Sequence, residues 1–226
     1  TVAPSAIPFN DSDPVPHELE LSEIDRLIRS FVDAAKRAKE AGFEVIEIHA
    51  AHGYLLHSFL SPLSNRRTDE YGGSFRNRTR FLVNTAQAIR TVWPKEFPLF
   101  VRLSATDWAE GGWTLEDSVE VSSELKIAGA NLIDCSSGGL VPWAKIPVGP
   151  GYQVPFAKRI REKAGIATGA VGMITDAEQA NSIVTSGEAD LVLLAREFLR
   201  DAYWPIHAAR ALGHEIEAPV QYSRAW

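Results

Sequence analysis

Phe43-Glu-Val-Ile-Glu-Ile48 runs directly into His49-Ala-Ala-His52-Gly-Tyr54. The first six residues are short, β-branched and mostly apolar, which predicts a buried strand. The six that follow carry two imidazoles and a phenol at the point where that strand ends. Upstream, residues 22–41 place Leu27, Ile28, Phe31, Val32, Ala35 and Ala38 at helical spacing, with Ser22 and Asp25 as a candidate cap and Gly42 as the stop. Downstream the alternation continues. Residues 49–75 read as a long polar loop, 76–92 as a helix, 99–103 as a strand, and 115–128 as a helix capped by Thr114. Residues 131–135 then read as a strand, 153–164 as a helix, 166–171 as a strand, and 176–185 as a helix capped by Asp176. The last strand is 190–194, followed by short helices to about residue 212.

Five strands separated by helices predict an α/β domain with a parallel sheet. A doubly wound open sheet and part of a (β/α)₈ barrel both fit. No Gly-x-Gly-x-x-Gly follows a strand, which disfavours a dinucleotide-binding Rossmann unit. The polar residues and glycines gather at the C-terminal ends of the strands, where both folds place their sites. No linker or repeat divides the 226 residues, so one domain spanning 1–226 is expected.

Bulk properties exclude several classes. Apolar residues make up 45% and charged residues 23%, with a formal charge of −6. This is an ordinary globular balance and no nucleic-acid footprint. No apolar run is long enough for a membrane span. The single cysteine, Cys135, cannot form an internal disulfide or an iron–sulfur ligand set, and a reducing, cytoplasmic setting is expected.

The residues alone leave the role of His49, His52 and Tyr54 open. A metal site needs a third ligand, and no carboxylate or Cys stands nearby. A structural pair of histidines and a catalytic pair both remain. The stretch Ser64-Asn-Arg-Arg-Thr-Asp-Glu-Tyr-Gly-Gly-Ser-Phe-Arg-Asn-Arg78 reads as a solvated loop braced by Arg66 or Arg67 with Asp69 or Glu70. Arg102 reads equally as a cofactor contact or as an arginine paired with a carboxylate at a strand end.

The same residues resemble the Old Yellow Enzyme family, in its bacterial-type branch. The resemblance is carried by His49-Ala-Ala-His52-Gly-Tyr54 and Asn65-Arg-Arg-Thr-Asp-Glu-Tyr-Gly-Gly-Ser74, with Arg78 and Val101-Arg102. It extends through Ala170-Val-Gly-Met-Ile174 and Leu194-Ala-Arg196 to the tail Gln221-Tyr-Ser-Arg224-Ala-Trp226. It covers essentially the whole chain.

The resemblance implies a TIM (β/α)₈ barrel of which this chain supplies strands 4–8, the family's first three strands lying outside it. It implies FMN as cofactor, NADPH or NADH as reductant, and reduction of the activated C=C bond of enones, enals, maleimides or nitroalkenes. His49 and His52 would hydrogen-bond the substrate carbonyl, and Tyr54 would protonate the α-carbon. Arg102 would contact the flavin, and Gly172, Met173, Ala195 and Arg196 its phosphate. Arg224 would reach a neighbouring subunit's site in a homo-oligomer, a dimer or tetramer. A truncated, non-catalytic binding scaffold is the alternative, and a chain lacking three strands is expected to bind FMN weakly alone. A lysine-based aldolase is disfavoured, since Lys126, Lys158 and Lys163 fall on helices and Lys145 in a loop.

Overall fold

The computed structural model describes residues 1–217, 219–222 and 224. Two two-residue strands near the N-terminus, β1 (Val2–Ala3) and β2 (His17–Glu18), pair in parallel. The sequence reading missed both, because two residues carry no periodicity. Helix α1 (Leu21–Glu40) follows. Its start differs from the expected Ser22/Asp25 cap: the Glu23 side chain accepts from the Glu20 N–H at 2.9 Å, so the capping pair lies two residues earlier.

The main sheet holds β3 (Ile46–Ala50), β4 (Leu99–Ser104), β5 (Leu132–Ser136), β6 (Ala167–Val171) and β7 (Leu191–Leu193), hydrogen-bonded in that order. All four pairings are parallel. Strand β3 begins later than expected. Phe43 is 61% exposed and closes the turn after α1, where its N–H donates to the Ala38 carbonyl.

Between β3 and β4 lie α2 (Leu55–Leu60) and α3 (Phe75–Arg90). The other connections are α4 (Leu115–Ile127), α5 (Val154–Ala164) and α6 (Ala177–Thr185). Helices α7 (Arg196–Arg200) and α8 (Trp204–Ala211) follow β7. Thr114 and Asp176 cap α4 and α6 as expected, accepting from Asp117 N–H and Gln179 N–H. Helix α2 was unforeseen. Six residues are too few to show a period, and five of them are buried.

The strand order decides between the two candidate architectures. A doubly wound sheet reverses its order at a switch point. Here the order is consecutive, and the helices follow it, α1 packing on α3, α3 on α4 and α4 on α5. This is the arrangement of part of a (β/α)₈ barrel.

Strand residues alternate between helix-facing and inward-facing positions. Ile48, Val101, Ile133 and Thr168 form a buried row across the sheet. The neighbouring row, His49, Arg102, Asp134 and Gly169, shares the opposite face. The apolar core behind the sheet includes Phe59, Phe81, Leu125, Ile133 and Ile160. Phe59 and Phe81 meet edge to face at 4.9 Å, and truncating either to Ala costs about 3–5 kcal/mol.

The 64–78 stretch is not the solvated loop its composition suggests. Arg67 is only 9% exposed. Its Nε and Nη2 donate to Asp69, and its Nη1 donates to the carbonyls of Pro4 and Leu19 at 3.0 and 2.6 Å. A guanidinium can satisfy that many acceptors only through its planar fork. The arginine therefore ties the N-terminal segment to the loop between α2 and α3. Asn65 adds bonds to Phe59 and Tyr71 carbonyls, both at 2.7 Å.

Candidate active site at the strand ends

Strand β3 delivers His49 at its penultimate position, and the turn after it delivers His52 and Tyr54. The His49 ring lies 5.1 Å from that of His52 and 5.3 Å from that of Tyr54. Three side chains close in sequence thus converge on one spot. The turn is held in an uncommon shape. His52 has φ 61° and Gly53 φ 75°. A Cβ on Gly53 would stand 2.3 Å from the Gly139 carbonyl oxygen, and one on Gly139 would stand 2.7 Å from His52 Cα. Both positions require glycine.

Polar contacts fix this turn from beneath. The His52 N–H donates to Ser104 Oγ, which donates to the Gly138 carbonyl. The Gly53 N–H donates to Nδ1 of His57, at 2.8 Å. Nε2 of His57 must then carry the proton, and it donates to Asp107 at 2.9 Å. Asp107 also accepts from Ser61 Oγ and the Trp113 N–H, both at 2.6 Å. The His57 and Asp107 side chains are fully buried. A buried carboxylate with three donors is satisfied and rigid.

Arg102 stands beside His49 in register on β4. Its Nη1 lies 3.2 Å from Oδ2 of Asp134 on β5, yet its buried Nε has no hydrogen-bond acceptor among the described residues. The Asp134 oxygens, also buried, make no well-aligned hydrogen bond. Burial pushes the Asp134 carboxyl up to about 7, with Arg102 pulling it down and Glu47 pushing it further up. Burial pushes His52 down to about 4, helped by the charge of Arg102 and by His49 and His57. His49 is lowered for the same leading reason, burial, and by Arg102. Both site imidazoles are neutral at neutral pH.

Gly172 and Met173 follow β6 with φ 116° and 52°. A Cβ on Gly172 would meet Gln153 Nε2 at 2.7 Å, so this turn also requires glycine. Ala195 and Arg196 follow β7 and are exposed. Arg102 thus lies within β4, two residues before its end, while Gly172 and Arg196 follow β6 and β7 of the same sheet. Arg224 lies in an exposed turn and Tyr222 is 60% exposed, while Trp226 lies outside the described residues. A cavity of about 420 Å³ is lined by Tyr54 together with Ile7, Phe9, Leu140 and Trp143. His49 and His52 do not line it. No group of three or more potential metal ligands occurs among the described residues.

Comparison with known proteins identifies the family to which this fold and sequence belong. The profile of the NADH:flavin oxidoreductase / NADH oxidase family matches residues 2–215. The chain belongs to that family. It is 57% identical over 225 residues to the NADPH dehydrogenase of Geobacillus thermodenitrificans (strain NG80-2), an alignment covering all of this chain and 65% of that relative. The chain thus spans about two-thirds of that relative's length. Among solved structures, the old yellow enzyme homologue from Zymomonas mobilis aligns with a TM-score of 0.78 at 26% identity, covering 97% of this chain and 63% of that one. Morphinone reductase in complex with tetrahydroNAD aligns with a TM-score of 0.76 at 26% identity, covering 98% and 62%. The expected family and the partial barrel are both upheld. No helix among the described residues is long and apolar enough to cross a membrane.

The sequence reading passed over Asp134, Ser104, Ser136 and Gln153. Asp134 and Ser136 lie in a stretch read only as a strand and its loop. A polar residue inside an otherwise apolar strand was the available signal.

Proposed function

We propose that this chain carries the substrate-binding part of an FMN-dependent oxidoreductase that uses NADPH or NADH to reduce the activated C=C bond of α,β-unsaturated carbonyl compounds. The observation that supports it most is the convergence of His49, His52 and Tyr54 beside Arg102. The residues fit a flavin nucleotide. An unpaired guanidinium N–H stands at the strand ends, and a glycine-only turn follows β6. A flavin held by these residues would supply the hydride that alkene reduction requires.

Arg102 would hold the flavin ring edge and stabilise negative charge on it. Gly172, Met173 and Ala195 would offer backbone N–H groups to the phosphate, and Arg196 its guanidinium. His49 and His52, as neutral imidazoles, would each donate one hydrogen bond to the substrate carbonyl. Donors fixed before reaction stabilise the developing enolate without reorganisation cost. Tyr54 would deliver the proton to the α-carbon. Enones, enals, maleimides and nitroalkenes share the acceptor oxygen and the polarised alkene this pair of donors requires. Arg224 would complete the site of a neighbouring copy in a dimer or tetramer.

Replacing His49 with Ala tests the reading in the flavin-loaded enzyme. Alkene-driven flavin oxidation should slow by about 10²–10³-fold, the loss expected for one oxyanion-type donor. Flavin reduction by NADPH should slow far less, and phenol binding should weaken. Equal loss in both half-reactions removes the carbonyl-binding role.

A further inference from the structure

A polar chain runs across the strand ends from His52. Nε2 of His52 lies 2.7 Å from Oγ of Ser136, the last residue of β5. Ser136 Oγ lies 3.5 Å from Oε1 of Gln153, which already accepts from Ser137 Oγ at 2.6 Å. Nε2 of Gln153 donates to the Val171 carbonyl at 2.8 Å, so the amide is fixed with its oxygen toward the serines. Ser136, Ser137 and Gln153 are 5%, 6% and 2% exposed, which leaves no bulk water to reorient them.

We propose that Ser136 is a positioning residue that sets the tautomer of His52, its hydroxyl donating to Nε2 and leaving the ring proton on Nδ1, the nitrogen open to a ligand. The bond lengths decide the direction. The Ser136 hydroxyl has two acceptors in reach, one at 2.7 Å and one at 3.5 Å that also accepts from Ser137. A hydroxyl bond near 2.7 Å is the ordinary optimum, and 3.5 Å lies at the limit. The reverse arrangement, with Nε2–H donating to Ser136, would send the hydroxyl proton to the poorer acceptor. The assignment matters because His52 is neutral near pH 7, held there by burial and by Arg102. A neutral imidazole has one N–H. With the proton on Nε2, the nitrogen left for the ligand would be an acceptor and would repel a carbonyl oxygen. Ser136 would thereby decide whether His52 can polarise the substrate.

Gln153 extends the effect. It orients the serine pair and bonds the carbonyl immediately before Gly172. The nucleotide turn and the carbonyl donor are braced by one amide.

This inference rests on the enone-reducing reading for its consequence, though not for its geometry. The test is long-range ¹H–¹⁵N correlation of ring-labelled histidine in the flavin-loaded enzyme, the His52 signals being assigned by their loss in His52→Gln. The expected spectrum shows protonated Nδ1 and unprotonated Nε2. Ser136→Ala should give a mixture of tautomers and phenol binding weakened about tenfold, equivalent to 1.4 kcal/mol. Ser136→Thr, which keeps the hydroxyl, should restore both. A protonated Nε2 in the unaltered enzyme overturns the proposal even if no variant folds, as does an unchanged tautomer in Ser136→Ala. A protonated Nδ1 in an enzyme that binds neither phenols nor enones supports Ser136 and removes the enone reading.

Discussion

Asp134 and His52 are displaced in opposite directions by the same burial, and each writes a pH dependence into stability. Asp134 keeps its proton in the folded chain up to about pH 7, while the unfolded chain loses it near pH 4. Between those values the unfolded state binds fewer protons, so stability falls as pH rises. His52 stays neutral when folded down to about pH 4, while the unfolded ring protonates near 6.5. In that window the unfolded state binds more protons, so stability falls as pH falls. Urea unfolding at a series of pH values checks both. Asp134→Asn should flatten the decline between about pH 4 and 7, and His52→Gln should flatten the opposing decline between about pH 6.5 and 4. A slope unchanged by either substitution means the group titrates alike in both states. The adjacency of His49, His52 and Tyr54 was legible in the sequence because six residues at a strand end cannot separate far. The contact of His52 with Ser136 was not, since the two are 84 positions apart and only the sheet register brings them together.

At the scale of elements, strands were easier to read than the segment between β3 and β4. Apolar, β-branched runs mark β4 to β7 within a residue or two of each end. The segment 51–74 hides its structure because its order comes from side chains bonding backbone. Arg67, Asn65 and Asp107 hold it together, and their partners include carbonyls up to 63 residues away. Charge counting read Arg66 or Arg67 as pairing with Asp69 or Glu70 across a solvated loop; the Arg67–Asp69 pair forms, but with the guanidinium buried. Arg67→Lys keeps the charge and loses the fork, so at least two of its bonds to Pro4, Leu19 and Asp69 go unmade. A loss of about 3–6 kcal/mol is expected from two charged-group hydrogen bonds of about 1.5–3 kcal/mol each, read as a lower urea midpoint with an unchanged slope. Stability unchanged to within 0.5 kcal/mol, the usual range for surface sites, would return Arg67 to the surface class. His57→Ala should act through the turn instead. It leaves the Gly53 N–H and the Asp107 carboxylate without their partner, and ligand binding at His52 and Tyr54 should suffer along with stability.

For the whole molecule, the sheet of the described residues has two open edges, β3 and β7, and its inward face is covered over β5 but open at β3, where Glu47 and His49 are exposed. Val45 and Leu191, on the edge segments, are each 44% exposed. Open edges and uncovered apolar faces favour association. The chain of residues 1–226 produced alone should therefore self-associate and bind FMN weakly. Sedimentation together with an absorbance titration of the flavin checks this, and a monomer binding FMN tightly at one per chain would refute it. The chain's (β/α)₈ character was legible only through the family resemblance, because periodicity alone left the doubly wound sheet standing. The consecutive strand order removed it.

The contact between Gly53 and Gly139 has a consequence for exchanging parts of this site. The turn after β3 and the turn after β5 approach so closely that neither tolerates even a methyl group. Loops at the mouth of such a barrel are commonly treated as independent inserts, each open to replacement by a relative's version. These two behave as a single graft: transplanting the segment around His52 into another scaffold without the Ser136–Gly139 segment would import the side chains and lose the shape that aims them. A library that varies one of these turns while holding the other fixed should yield few folded members, and one that swaps both together from a common donor should yield many.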